Sequence, residues 1–187
     1  MDLKKKALFN EHGDIELSKR RLINGNTTNL NDFNNIKYPW VSNWYRTAMN
    51  NFWIPEEINL SQDVKDYRIL SKAEKTAYDK ILSFLIFLDS IQTANLPNVG
   101  EYITANEVNL CLTIQAFQEA VHSQSYSYML DTICSPEERT SILYQWRDDE
   151  HLLRRNKFIG DIYNDFQLHK TPDQLARTMV ANYILEG

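Results

Sequence analysis

One piece of helix-start chemistry recurs along the chain and limits what it can fold into. Ser71-Lys-Ala-Glu74, Thr104-Ala-Asn-Glu107 and Ser135-Pro-Glu-Glu138 each place a hydroxyl at a helix N-cap and a glutamate three residues on, and Thr171-Pro-Asp-Gln174 repeats the arrangement with glutamine. The hydroxyl accepts from an N–H that the first turn leaves without a partner, and the acid reaches back to the cap, so each box predicts a helix start. Pro136 sits at the first helical position, where its missing N–H costs nothing. The first box opens a helix through Ala77, Ile81, Leu82, Leu85 and Leu88, apolar around most of its girth near its end and therefore central. The second opens a helix that runs past Tyr126, the third one that reaches about Phe166, and the fourth one lined by Leu175, Met179, Tyr183 and Ile184. Before them, Trp40 to Trp53 spaces Trp40, Trp44, Ala48 and Phe52 four apart, a short helix with an aromatic face ended by Pro55. Asn95 to Gly100 reads as loop, and residues 1–39, rich in Asn-Gly and Asn-Asn pairs, as an extended or partly ordered arm that wraps something else. No repeat or strand alternation appears. The expected fold class is all-α, a helical bundle that is incomplete in this chain.

A chain of 187 residues makes one domain with a sizeable core. Its formal charge of −5 leaves no basic stripe, which argues against a nucleic-acid partner. Cys111 and Cys134 are the only cysteines and fit reduced thiols better than a disulfide framework. The best apolar run, Ile81 to Leu88, is too short to span a bilayer, and no signal core follows the first residues. The expected location is the cytoplasm, away from membranes.

Against this apolar frame a few polar residues stand out. Glu119, His122 and Tyr126 fall within roughly 60° of one another on a helix turning about 100° per residue, so one face carries a carboxylate, an imidazole and a phenol. An ionised carboxylate buried there requires a cation or a donor. Glu-x-x-His on an inward helix face is how helix bundles build dinuclear carboxylate sites, although an exposed Glu beside a satisfied surface His gives the same string. Asp89 lies beside Leu82 and Leu85 on a largely apolar side; an aspartate turned outward at a helix end is the other reading. Glu186 places a carboxylate against the helix dipole at the end of the last helix. Gly187 after it is compatible with an ordinary C-cap, and the reading taken is that the helix is cut mid-course with Glu186 part of an inward constellation. The cluster Arg147, Asp148, Asp149, Glu150, His151, Arg154, Arg155 reads as a solvated face. Oxygen-rich ligation with one imidazole suits Fe or Mn better than structural Zn.

The blocks Asn51-Phe-Trp-Ile-Pro-Glu-Glu57, Leu88-Asp-Ser-Ile-Gln92, Glu119-Ala-Val-His-Ser-Gln-Ser-Tyr126 and Asn182-Tyr-Ile-Leu-Glu186 closely resemble, in order and approximate separation, the small, radical-generating subunit of class I ribonucleotide reductase. The resemblance runs from about Trp40 to the last residue and implies that residues 40–187 form the first part of a ferritin-like dimetal-carboxylate bundle. It implies further that Asp89 and His122 ligate a first metal, that Glu119 bridges, and that Glu186 ligates a second. Tyr126 would hold the stable radical, and Trp53 would begin the long-range transfer path to the large subunit. Packing with one hydrogen bond is the ordinary role of such a tyrosine, and an aromatic core anchor the ordinary role of such a tryptophan.

The departure from the family pattern is a second Glu-x-x-His, which does not follow Glu186 in this sequence; Glu150-His151 and His169 lack the spacing. The expectation is therefore a dinuclear Fe or Mn centre whose remaining Glu and His come from elsewhere. The chain is read as one piece of a split small subunit or as a truncation, with a complementary C-terminal fragment and self-association expected because unfinished helices expose apolar faces. Two other readings stand beside the reductase: a ferritin-like oxidase using the same carboxylates without radical export, and a metal-free helical interaction module.

Overall fold

The structure, a computed structural model, describes residues 2–186, with the side chain of Glu186 outside the description. Among the described residues all regular structure is helical: α1 (Trp40–Asn50), α2 (Asp63–Ile69), α3 (Lys72–Gly100), α4 (Asn106–Ile133), α5 (Pro136–Asp148), α6 (Glu150–Leu168) and α7 (Pro172–Glu186), with single 3-10 turns at Leu17–Lys19 and Pro55–Glu57. The all-α expectation holds. The chain divides into two compact units. The first takes residues up to Phe52, Thr93–Gln118 and the chain from Ile162 on; the second takes Trp53–Gln92 and Glu119–Asp161.

Two of the start boxes form as written. Ser71 Oγ accepts from the Glu74 N–H and Glu74 returns to the Ser71 N–H. Ser135 and Glu138 do the same at α5. Thr171 Oγ1 accepts from Gln174 N to start α7. The Thr104 box does not close, because both of its members are claimed by residues before α1. Thr104 Oγ1 donates to Arg21 O and accepts from Gly25 N, and Glu107 accepts from Lys37 N and the Arg20 guanidinium. With its cap side chain engaged elsewhere, α4 begins one residue later than the box predicts, at Asn106.

Two further expectations are corrected. Asn95 to Gly100 is the last part of α3 and not a loop, with Pro97 inside the helix. A proline there deletes one backbone bond, but Leu96 and Val99 are almost completely buried in the first unit's core, and that burial carries the helix through. The segment after Ser135 is two helices, since Asp149 takes extended backbone and its carboxylate caps α6 by accepting from His151 N and Leu152 N. In α1 the buried residues are Val41 and Ala48, whereas Trp40 and Trp44, and Phe52 just after the helix, are exposed.

The first unit's core is Leu3, Leu96, Val99, Tyr102, Ile103, Leu112, Phe166 and Leu175, with Tyr102 edge-on to Phe166 at 5.6 Å. Residues 2–39 do not stand away from it. Leu3 is in that core and its N–H donates to Lys170 O, while Lys6 N donates to Glu101 O. The second unit is centred on Leu82, Leu130 and Ile142, against which Tyr78, Ile86, Tyr126, Met129, Cys134 and Leu143 pack. Cys111 and Cys134 are both free thiols. No helix of the described residues is long and apolar enough to cross a membrane.

Candidate metal centre

Within the second unit α3 delivers Asp89 and α4 delivers Glu119, His122 and Tyr126. The helical offset of three between Glu119 and His122 turns both side chains the same way, and His122 Nδ1 lies 3.1 Å from Glu119 Oε2 and 3.5 Å from Asp89 Oδ2. One ligand atom from each of the three residues falls within 4.8 Å of the others. The Glu119 carboxylate is only 2% exposed, Asp89 is partly buried, and His122 is the most open of the three.

Two carboxylates converging on one imidazole nitrogen create a strongly cation-seeking point. Hydrogen bonds from His122 to Asp89 and Glu119 raise its pKa from 6.5 to about 10, against the opposing effect of burial, and the carboxylates' charges add to the rise. A cation placed between these groups would be within reach of all three. Two hard oxygen donors and one borderline nitrogen fit Fe(II) or Mn(II) in kind, and the direction in which Nδ1 faces, toward both carboxylates, is that of a shared ligand set.

The remaining sequence-predicted residues are arranged around this point unequally. The Trp53 ring stacks on the His122 ring with centroids 6.3 Å apart and planes 29° from parallel. Spacing gave no hint of this contact, because Trp53 lies in irregular backbone between α1 and the 3-10 turn at Pro55. Tyr126 is partly buried against Leu82, Leu130 and Ile142, one turn beyond His122. Glu186 is the last helical residue of α7 and belongs to the first unit; its side chain lies outside the described residues. Sequence reasoning also missed Gln124, whose amide donates to Glu56 at 3.4 Å beside the Trp53 segment. The charge cluster from Arg147 to Arg155 is exposed apart from the half-buried Asp149, which pairs with Lys80 at 2.6 Å as well as capping α6.

With this geometry in view, the comparisons with known proteins are specific. Residues 30–187 match the family described as ribonucleotide reductase, small chain. The chain is 79% identical over 185 residues to the ribonucleoside-diphosphate reductase subunit beta of Treponema pallidum, covering 99% of this chain and 53% of that protein. It is 45% identical over 188 residues to the same-named subunit of Aquifex aeolicus, covering all of this chain and 27% of that one. Among solved structures it is similar to the ribonucleotide reductase R2 subunit from Clostridium botulinum, with a TM-score of 0.94 and 54% identity over 100% of this chain and 58% of the other. The chain therefore spans about half the length, or less, of these relatives. Its helices have the ferritin-like arrangement of those neighbours, and the chain belongs to the ribonucleotide reductase small-chain family.

Proposed function

We propose that this chain supplies the metal-binding and radical-bearing portion of a class I ribonucleotide reductase small subunit, which serves ribonucleotide reduction by a large subunit. The observation that carries the reading is the convergence of Asp89, Glu119 and His122 on one point, with Trp53 stacked on the histidine. Asp89 and His122 would hold the first metal, Glu119 would be shared between the two, and Glu186 would serve the second. The further Glu and His of the family pattern would come from a complementary segment. We also propose that the assembled subunit self-associates.

A dinuclear Fe or Mn centre bound there supplies the oxidising power that a phenol requires. The chain's own residues do the rest. Glu119 and Asp89 balance the cationic charge in a largely dry setting, where an unpaired carboxylate would be costly. His122 gives up its Nδ1 proton on binding metal, so loading releases a proton. Tyr126 gives up an electron and its phenolic proton, and its apolar neighbours Leu82, Leu130 and Ile142 keep water from the phenoxyl. Trp53 carries the oxidising equivalent toward the large subunit.

Metal analysis and electron paramagnetic resonance after Fe(II) and O2 test the reading, on this chain alone and mixed with a segment carrying Glu-x-x-His. The expected result is stoichiometric metal and a tyrosyl signal in the mixture that Tyr126→Phe removes. Absence of stoichiometric metal from both samples would overturn it.

A further inference from the structure

A second oxidisable tyrosine, with its own proton acceptor, lies in the same unit as Tyr126. Met129 follows Tyr126 by three residues on α4, so the two side chains are neighbours on one helix face, and both pack on the Leu82, Leu130 and Ile142 cluster. The Tyr78 hydroxyl donates to Met129 Sδ at 3.2 Å. The Tyr78 ring stands 5.8 Å, centroid to centroid, from that of Tyr67 on α2. Tyr67 is 6% exposed, and its hydroxyl donates to Asp79 Oδ1 at 2.8 Å. From Met129 a thioether, a phenol and a second phenol follow in contact and end at a hydrogen-bonded carboxylate, and Tyr126 packs on the same cluster as the thioether.

Of the two phenols beyond Met129, Tyr67 is the one built to lose a proton. A phenol that surrenders an electron becomes strongly acidic and must pass its proton on. Tyr78 points its hydroxyl at a thioether, a poor base, whereas Tyr67 points its own at a carboxylate. Burial in the first place, then the bonds to Asp79 and the Cys134 thiol, raise the Tyr67 pKa, so the phenol is neutral when it reacts. Burial likewise raises the Asp79 pKa and makes that carboxylate a better acceptor. The Lys75 ammonium, 4.6 Å from the Tyr67 ring centroid, would oppose a hole there, but it is itself paired with Glu138.

Resting on the assignment of the radical to Tyr126, we propose that Tyr67 and Asp79 form a second radical station that exchanges the oxidising hole with Tyr126 through Tyr78 and Met129. One electron leaves Tyr67 and reduces the Tyr126 phenoxyl to a phenolate, which is reprotonated by the conjugate acid of the base that accepted its proton on oxidation. The Tyr67 O–H bond breaks and an O–H bond forms on Asp79, so the exchange needs no outside reductant. The Tyr67 phenoxyl then accepts a hydrogen bond from the Asp79 carboxyl, which gives it a coupling to an exchangeable proton.

The test is electron–nuclear double resonance in H2O and D2O on the complemented, Fe(II)- and O2-treated protein. Two tyrosyl components are expected, both lost in Tyr126→Phe because the second draws its hole from the first; the one carrying the exchangeable coupling is the one that Tyr67→Phe or Asp79→Asn also removes, with helix content by circular dichroism unchanged. Asp79→Glu is expected to restore the second component. A spectrum that neither Tyr67→Phe nor Asp79→Asn alters would overturn the second station while leaving the Tyr126 assignment intact. A spectrum with no component removed by Tyr126→Phe would overturn that assignment, and the exchange with it.

Discussion

Helix α4 carries two almost fully buried glutamates, one in each unit, and they have opposite fates. Glu107 is 3% exposed and completely answered: its two oxygens take the Lys37 N–H at 2.9 Å and the Arg20 guanidinium at 3.2 Å. A fixed cation and a backbone donor leave it no call for anything else. Glu119 is as deeply buried, but it faces a histidine that a second carboxylate also claims. Two negative groups around one titratable positive group form a site that a divalent ion improves. Burial of an acid therefore says little about function; what distinguishes the two is whether the compensating charge is permanent.

The largest effect expected from this contrast is on metal uptake. Glu119→Ala should weaken Fe(II) or Mn(II) binding in the complemented protein by roughly 100-fold or more, beyond the loss typical of outer-shell changes, and equilibrium dialysis checks it. Glu107→Ala should leave metal affinity alone and lower stability by about 2–3 kcal/mol, somewhat less than a fully buried pair because Arg20 is partly solvated; urea denaturation of the two variants side by side would break the comparison if both lost metal.

The permanence of the compensating charge is also readable from pH. The folded His122 pKa lies above its ordinary value of 6.5, at about 10. Its contribution to metal-free stability is thus fully present below pH 6.5 and lost as pH rises through about 10. The difference in urea midpoint between the parent and His122→Gln should shrink across that window, whereas Arg20 keeps its charge and the Glu107 pair should show no such loss. Metal binding runs the other way and should strengthen with pH, because the ion displaces the proton. The smallest effect is on a cap: Ser135→Ala should cost the second unit about 1 kcal/mol, without altering metal content.

Much of this was legible in the residues. The Ser71 and Ser135 boxes act locally, through atoms a few residues apart, and a sequence reports such interactions well. The clustering of Glu119 and His122 on one helix face follows from helical geometry alone. Legibility fails where distant residues compete for the same atoms. Thr104 and Glu107 have the letters of a cap, but Arg21, Gly25 and Lys37 hold them instead. Pro97 has the letters of a loop, and the burial of Leu96 and Val99 overrides them. Asp149 looked like one charge among many until its backbone broke the helix and its carboxylate capped the next. The approach of Asp89 to His122 and the stacking of Trp53 on it are tertiary facts that no spacing contains.

The first residues of the chain act on more than their own neighbourhood. Leu3 fastens to Lys170, in the turn between α6 and α7, and Lys6 fastens to Glu101, in the turn between α3 and α4. A short strap so placed makes two openings, remote along the chain, into one cooperative event. Amide protons of the two turns should exchange at a common rate while the strap is in place. Clipping it should release both together, so that damage at the very start of the sequence is felt some way into its last helix.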